Sequence, residues 1–317
     1  MSTKPLVIVE SPSKAGTIEK YLGGEYEVLA SVGHIKDLPD KELAVDIERD
    51  FHSTWIVPPR KKAVVQRLKE AAQKADAIYL ATDPDREGEA IAAHVAAELP
   101  DKPHYRVRFH EITRKAVQEA LAHPEEIDEH LVNAQLARRV LDRLVGYLIS
   151  PQLWRTLRSW LKLDQDSGLS AGRVQSATLR LLVDRERERL RFRTARFFDL
   201  EATLQAGAKD SFTATLIQVG GKRVATGKDF DAQTGRPKSS QVVVLNETDA
   251  QALQARLLPL PWTLDRKEVQ PKSVRPRPPY TTSTLQQDAA RRFGSSARVM
   301  RLAQQLYEAG FISYMRT

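Results

Sequence analysis

Apolar and polar positions follow two different periods along the chain. Over about the first 130 residues, short apolar runs such as "PLVIVE" (5–10) and "AIYLATD" (77–83) alternate with stretches such as "RKKAVVQRLKEAAQKAD" (60–76), whose apolar residues recur at helical spacing. The first pattern is typical of buried parallel strands and the second of amphipathic helices. The chain therefore begins with a predicted α/β domain, a mainly parallel sheet with helices on both faces.

The middle of the chain changes period twice. From about 127 to 193 the pattern is helical, in two long segments, 130–157 and 170–192, and "KLDQDSGLS" (162–170) between them is predicted to be a mobile loop. From 197 to about 272 the period becomes two, which predicts short β segments, the last of them "WTLDRKEVQ" (262–270).

The final part of the chain is predicted to be helical again. A basic, proline-rich linker, "SVRPRPPY" (273–280), precedes "TSTLQQDAARRFG" (282–294) and "SARVMRLAQQLYEAG" (296–310). These changes of pattern predict four parts: the α/β domain at 1–128, with about 38–63 packing against the helical domain, a helical domain at 129–195, a β-rich segment at 196–272 and the beginning of a second helical domain at 273–317.

Composition narrows the class of protein. The 317 residues include no Cys, which excludes disulfides and thiolate metal sites and is compatible with a reducing cytoplasm. No run of about 18 apolar residues predicts a membrane span. The formal net charge of +8 is typical of proteins that bind a polyanion such as nucleic acid, although a solvated basic surface would also explain it.

Acidic residues gather where two predicted strands end. Asp83 and Asp85 follow the strand "AIYL", and Glu87 comes just before a helix. Glu10 ends the first predicted strand, so it is expected on the same edge of the sheet, which is where open α/β sheets bind ligands. Carboxylates in such an arrangement suit Mg²⁺. The competing explanation is a helix N-terminus with acidic residues that complement its dipole.

Several further segments, taken together, resemble one enzyme family. "VIVESPSKAGTIEKYLG" (7–23), "SVGHIKDLP" (31–39) and "LATDPDREGEAIAAH" (80–94) are similar to the TOPRIM domain of type IA DNA topoisomerases. "ARRVLDRLVGYLISPQLW" (137–154), "LSAGRVQSATLRLLVDRERE" (169–188), "TSTLQQDAARRFG" and "LYEAGFISYMRT" (306–317) resemble later blocks of bacterial members in the same order. The resemblance is thin only at about 200–270, where the family carries a β-rich arch segment.

The resemblance assigns roles to residues of the candidate site. It implies that Tyr314 is a nucleophile that joins a 5′ phosphate of single-stranded DNA, with Arg316 clamping the phosphate. Glu10 would be the general acid for the leaving oxygen, and Lys14 would support that oxygen. Mg²⁺ would be held by Glu10, Asp83, Asp85 and Glu87.

Other residues are expected to contact DNA. Arg139, Arg143 and Tyr147 recur at i, i+4 and i+8 and so share one helix face, a basic stripe with an aromatic that suits a single strand. Its competing explanation is a solvated face with ordinary ion pairs, for which Asp142 is available. Trp154 would stack on a base or anchor its helix in the core. With those given by the resemblance, the expected DNA-contacting set is His34, Arg138, Arg139, Asp142, Arg143, Tyr147, Trp154, Ser170, Ala171, Gly172, Arg173, Val174 and Gln175.

The resemblance implies relaxation of negatively supercoiled DNA without ATP by a monomeric cytoplasmic protein. Two alternatives stay open, another TOPRIM enzyme of the nuclease or primase kind and a non-catalytic module that binds single-stranded DNA. Because "SYMRT" is the end of this sequence, we expect the 317 residues to bind single-stranded DNA without relaxing plasmids, with Tyr314 disordered or packed away from the acidic cluster.

Overall fold

The computed structural model describes residues 4–158, 160–162, 164, 168–207 and 210–316. The chain forms two compact units, Met1–Arg173 with Pro276–Thr317, and Val174–Arg275. No helix in the described part of the chain combines the length and apolarity needed to cross a membrane.

A parallel sheet is the centre of the first unit. Among the described residues it has four strands, β1 (Leu6–Val9), β2 (Glu27–Ala30), β5 (Ile78–Leu80) and β6 (His104–Arg106), in the order β2-β1-β5-β6. All three strand pairs are parallel, and Leu6 lies opposite both Glu27 and Ile78. This confirms the mainly parallel sheet. A short antiparallel pair, β3 (Val45–Asp46) and β4 (His52–Ser53), lies outside it.

Helices cover both faces of this sheet. They are α1 (Pro12–Leu22), α2 (Lys62–Lys74), which follows a 3₁₀ turn at Pro59–Lys61, α3 (Arg86–Glu98) and α4 (Arg114–Ala122). Successive side chains of β1 point to opposite faces, so Leu6 and Ile8 pack in a core with α2 and α3, whereas Val7 and Val9 pack in a second core with α1 and α4. The predicted α/β layer with two covered faces is therefore confirmed.

The helical part of the first unit follows this layer. Helix α5 (Glu129–Leu153) begins at the Asp128 cap and continues into a π-helical turn at Trp154–Arg158. Helix α6 (Arg173–Arg191) follows, and its residues from Val174 onward belong to the second unit. Part of the loop predicted at 162–170 lies outside the described residues.

The end of the chain returns to the first unit. Helices α8 (Thr282–Phe293) and α9 (Ser296–Glu308) pack on each other, and α9 also packs on α1. It buries Val299, Ala303 and Tyr307, and Tyr307 belongs to the same core as Val7 and Val9. No local pattern predicts this packing, because the partner of α9 is a helix almost 300 residues away in sequence.

The second unit contains α6 from Val174 onward, the predicted β segments and a further helix. Strands β7 (Glu201–Ala206) and β8 (Asp210–Thr215) form an antiparallel pair, while β9 (Gln218–Val219), β10 (Lys222–Val224) and β11 (Val242–Val243) form a small mixed sheet, with a 3₁₀ turn at Gly227–Asp229. Helix α7 (Glu247–Leu257) was not predicted, and the strand predicted at 262–270 is wrong, since those residues have no regular structure.

Candidate active site

The carboxyl ends of β1 and β5 place two of the predicted acids together. Glu10 follows β1 directly, and Asp83 lies three residues after β5. The backbone N–H of Asp83 donates to Oε1 of Glu10 at 3.2 Å. Neighbouring parallel strands end at one edge of a sheet, which is why two acids 73 residues apart in sequence meet here.

A buried lysine lies beside both acids. Lys14 is on the first turn of α1, which the side chain of Ser11 caps, and it is only 1% exposed. Its Nζ donates a hydrogen bond to Asp83 and lies 3.9 Å from Oε2 of Glu10. Burial, and then the negative charge of Asp83, raise the pKa of Glu10 to about 8, against the smaller opposing effect of Lys14. Glu10 therefore carries a proton at neutral pH.

Asp85 is fixed by the helix that follows it. It is the N-cap of α3, and its Oδ1 accepts a hydrogen bond from the backbone N–H of Gly88 at 2.8 Å. Gly88 is required by the close approach of the chain, since a Cβ there would lie 2.2 Å from the carbonyl oxygen of Asp83. The tight turn "TDPDREG" thus aims Asp83 and Asp85 at the same edge of the sheet.

The structure places Tyr314 at this acidic edge. Its hydroxyl donates to Oδ2 of Asp85, and its backbone N–H donates to the carbonyl of His110 at 2.6 Å. The expectation that Tyr314 would be disordered or packed away from the acids is therefore wrong. Burial, followed by the hydrogen bond to Asp85, raises the pKa of the Tyr314 phenol, so the resting residue is neutral.

The segment before Tyr314 is anchored on the α/β layer. Ser11 Oγ donates to Oε1 of Glu308 at 3.0 Å, and Thr17 Oγ1 donates to the carbonyl of Glu308 at 3.2 Å. Gly310 has a positive φ of 79°, and a Cβ there would lie 2.5 Å from the carbonyl oxygen of Ile112. Only a glycine fits this turn, which brings the chain back toward the acids.

Arg316 and His34 meet at Glu87. Nη1 of Arg316 lies 3.2 Å from Glu87 and 3.8 Å from Asp85, while Nε2 of His34 lies 3.5 Å from Glu87. Interaction with His34, and then with Arg316, holds the pKa of Glu87 below its ordinary value despite partial burial. Glu87 therefore joins the two basic side chains to the edge of the acidic cluster.

One residue that was not predicted holds the backbone after β5 in place. Arg106, at the end of β6, is fully buried and forms an ion pair with Glu89 of α3 at 2.9 Å. Its guanidinium also donates to the carbonyls of Leu80, Thr82 and Asp83 at 2.8–3.0 Å. The available signal was an arginine at the end of a strand of the sheet, because a buried arginine needs acceptors that only a tertiary contact supplies.

The donor chemistry of the site fits a hard cation, but the side chains do not surround one point. The carboxylate of Asp83 accepts a hydrogen bond from Lys14, and that of Asp85 accepts hydrogen bonds from Tyr314 and from the backbone of Gly88. Among the described residues, no group of three acidic or histidine side chains is close enough together to hold a metal ion. Carboxylate oxygens are nevertheless the ligands that Mg²⁺ takes in proteins.

The predicted basic stripe on α5 contacts the loop after His34. Arg139 forms two hydrogen bonds with Asp37, at 2.7 and 2.9 Å. Arg143 donates hydrogen bonds to the carbonyls of Leu38 and Glu42 at 3.2 and 2.7 Å. The guanidinium of Arg143 also lies 4.7 Å from the centre of the Tyr147 ring, and the Tyr147 hydroxyl donates to the carbonyl of Asp40. The stripe faces the region of 38–63 that was predicted to pack with this helix.

The remaining predicted contacts lie at the far end of α5 and the start of α6. Asp142 pairs with Arg173 at 2.7 Å and with Arg138 at 4.0 Å. The backbone N–H of Ala171 donates to Ser150 at 3.0 Å. Trp154 donates to the carbonyl of Leu169 at 2.7 Å while its ring stays 44% exposed, so it is not a core anchor. Ser170 and Gly172 precede α6, and Val174 and Gln175 lie in its first turn.

Comparison with known proteins identifies two family models in the chain. Residues 5–112 match a Toprim domain, and residues 126–317 match a model described as DNA topoisomerase. DNA topoisomerase 1 of Synechocystis sp. is 49% identical over 98% of this chain, and DNA topoisomerase 1 of Mycobacterium tuberculosis is 45% identical over all of it.

A solved structure is also similar. The full-length topoisomerase I of Thermotoga maritima matches 98% of this chain with a TM-score of 0.75 and 41% identity. The chain spans 49% of that structure and about a third of the two curated relatives, 36% and 35% of their lengths.

Proposed function

Because the chain belongs to the bacterial DNA topoisomerase I family, we propose that it cuts and reseals one strand of DNA through Tyr314. The observation that supports this most directly is the hydrogen bond from the Tyr314 hydroxyl to Asp85, on the edge that also holds Glu10 and Lys14. Transfer of a phosphodiester to a side chain requires a nucleophile, a carboxylate that can accept the proton of the nucleophile, a protonated acid for the leaving oxygen, and a cation.

In the proposed cleavage step, the phenol oxygen of Tyr314 attacks the phosphorus and forms a new P–O bond. The bond from phosphorus to the 3′ oxygen breaks at the same time. Asp85 accepts the phenol proton, and Glu10, which is protonated at neutral pH, gives its proton to the departing 3′ oxygen. Resealing reverses these transfers and needs no ATP, because the phosphotyrosine bond retains the energy of the broken one.

Two cations stabilise the charge that develops in this step. Lys14 lies in the buried interior of the site, where electrostatic interactions are strong, and its ammonium is 3.9 Å from the carboxyl of Glu10. Arg316 lies at the exposed side, two residues after the nucleophile. We propose that Arg316 clamps the phosphate while Lys14 supports the departing oxygen.

We propose that Asp83 and Asp85 hold Mg²⁺, with Glu10 and Glu87 as the neighbouring acids. An ion held by these carboxylates would supply the positive charge that aligns the two DNA ends for resealing. The contribution of the chain is a pair of carboxylates set by the end of β5 and the cap of α3. The partners of these carboxylates, Lys14 and Tyr314, would have to shift to admit the ion.

We propose that single-stranded DNA lies along α5 and the start of α6, bound by the basic and aromatic residues placed there. The +8 net charge supports a polyanionic partner. For the whole protein, rather than for these 317 residues, we propose relaxation of negatively supercoiled DNA by a monomer acting in the bacterial cytoplasm. The 317 residues alone are expected not to relax plasmids.

Transfer of a label from DNA to the protein tests the proposal. A single-stranded oligonucleotide labelled at its 3′ end is incubated with the chain and Mg²⁺, then denatured and resolved by electrophoresis. The proposed chemistry leaves the 3′ label on the protein and releases a 5′ label with the free 3′-hydroxyl fragment. A nuclease would release both labels, a binding module would leave the oligonucleotide intact, and either result would refute the proposal.

A further inference from the structure

Tyr307 lies between two groups of the proposed reaction. It is fully buried on α9. The Nζ of Lys14 lies 5.3 Å from the centre of its ring, and the ring of Tyr314 meets it edge-on, with centres 5.1 Å apart and planes at 61°. Among the described residues, Tyr307 is the aromatic residue whose ring contacts both Lys14 and Tyr314.

The ring offers Lys14 a specific attraction. An ammonium within about 6 Å of a ring centre is attracted by the negative face of the ring, and the attraction is stronger where water is excluded. Lys14 is 1% exposed, so this interaction operates away from solvent. Burial, and then the nearby acids, raise the pKa of Tyr307, so the ring stays a neutral phenol.

The ring also limits where Tyr314 lies. Edge-to-face pairs of aromatic rings have a preferred geometry, with centres about 4.5–7 Å apart. Tyr307 and Tyr314 are seven residues apart, on either side of the glycine turn at Gly310. A side chain fixed in the core can therefore hold the ring of Tyr314, in addition to the backbone hydrogen bond to His110 and the hydroxyl hydrogen bond to Asp85.

We propose that Tyr307 is a positioning residue for strand cleavage: its ring face holds the Lys14 ammonium beside Glu10 and Asp83, and its contact with Tyr314 keeps that ring beside Asp85. This role rests on the proposed cleavage function. It requires an aromatic face at position 307 and does not require the hydroxyl. A tyrosine that merely filled the core would need only the right volume.

Replacing Tyr307 by phenylalanine, and then by mono-, di- and trifluorinated phenylalanines, separates these roles. Each fluorine removes negative charge from the ring face and changes the volume little, so a residue that only fills space would be insensitive. We expect the rate of covalent complex formation to fall stepwise, by about tenfold from phenylalanine to the trifluorinated ring. The same series at Tyr79, which packs against the same core, should have no effect. Equal rates along the series at 307 would overturn the proposal.

A second measurement does not depend on cleavage. The ε-methylene protons of Lys14 should show an upfield ring-current shift in NMR spectra of the chain. The shift should persist in Tyr307→Phe and disappear in Tyr307→Leu, whose folding is checked by circular dichroism. A shift that survives in a folded Tyr307→Leu variant would refute the contact. If the wild-type chain forms no covalent complex while the shift behaves as expected, the proposed function fails and the Lys14 contact stands.

Discussion

At the scale of single residues, the protonation of Glu10 is the feature that most directly links the site to its chemistry. Its pKa is raised to about 8, mainly by burial, from 4.5 in an ordinary environment. Between these two values the folded protein holds a proton that the unfolded chain releases. Glu10 therefore contributes to the free energy of unfolding in a pH-dependent way. Its contribution is fully present below about pH 4.5 and is lost as the pH rises to about 8.

Glu10→Gln should remove this dependence, because glutamine has a similar shape and does not titrate. We expect the stability of the variant relative to wild type to increase from about pH 4.5 to about pH 8 and then to stay constant. Urea unfolding of both proteins over this range measures the difference. A constant difference between the two proteins over the whole range would contradict the raised pKa.

Gly88 provides a steric test of the turn that sets Asp83 and Asp85. Gly88→Ala would place a methyl group 2.2 Å from the carbonyl oxygen of Asp83. We expect a loss of stability of about 1–3 kcal/mol, the usual cost of overpacking, from urea unfolding. Gly16→Ala is a matched control, because Gly16 is also helical and a Cβ there meets nothing within 4 Å. Equal effects of the two substitutions would mean that the turn tolerates a side chain.

The sequence alone could predict part of this site. The strand ends and the "DxDxE" spacing were sufficient to bring Glu10 and Asp83 to one edge of the sheet. The hydrogen bond of Tyr314 to Asp85 joins residues 229 positions apart, and no local pattern encodes it. It depends on the packing of α9 against α1 and on the turn at Gly310, which are tertiary contacts.

At the scale of elements, the ion pair of Arg106 and Glu89 joins β6 to α3 inside the protein. Glu89→Gln would leave the buried guanidinium without its counter-charge, and we expect a loss of about 3–5 kcal/mol in the free energy of unfolding. Glu125→Gln serves as the control, since Glu125 pairs with Arg108 at an exposed position and should cost less than about 1 kcal/mol. Similar losses of unfolding free energy in the two variants would show that other groups compensate the buried charge of Arg106.

The helix α5 is the element expected to bind DNA. Arg139 is half exposed and paired with Asp37, so it can exchange that partner for a phosphate at small cost. Arg139→Ala should weaken binding of a single-stranded oligonucleotide and lower the salt dependence of log K by about 0.7, the contribution of one phosphate contact. Arg223→Ala removes the same charge from a paired arginine of the β-rich unit and is the control. An unchanged salt slope in Arg139→Ala would place the DNA elsewhere.

Element prediction succeeded where one pattern dominated. The continuous apolar run of β1 predicted a strand that is buried on both faces, and its side chains lie in both cores of the sheet. It failed at 262–270, where side chains alternate but the structure has no strand. It also failed at α7, whose Asn246 cap and acidic first turn were signals that the alternating pattern around the helix obscured.

At the scale of the whole molecule, the account depends on residues from both ends of the chain meeting in one place. Tyr314 comes from the last residues, and Glu10, Lys14 and Asp85 come from the first domain. The chain spans about a third of the length of its curated relatives, so relaxation of DNA belongs to the whole protein in this account.

The most direct test is to locate the nucleotide on the protein. After reaction with a single-stranded oligonucleotide and Mg²⁺, nuclease and trypsin digestion should leave a nucleotide on the peptide 302–316, which contains both Tyr307 and Tyr314. Fragmentation in a mass spectrometer distinguishes the two tyrosines. The account predicts a 5′-phosphate linkage on Tyr314 and none in a Tyr314→Phe variant that still binds DNA. A nucleotide on Tyr307, or an adduct that persists in Tyr314→Phe, would contradict it.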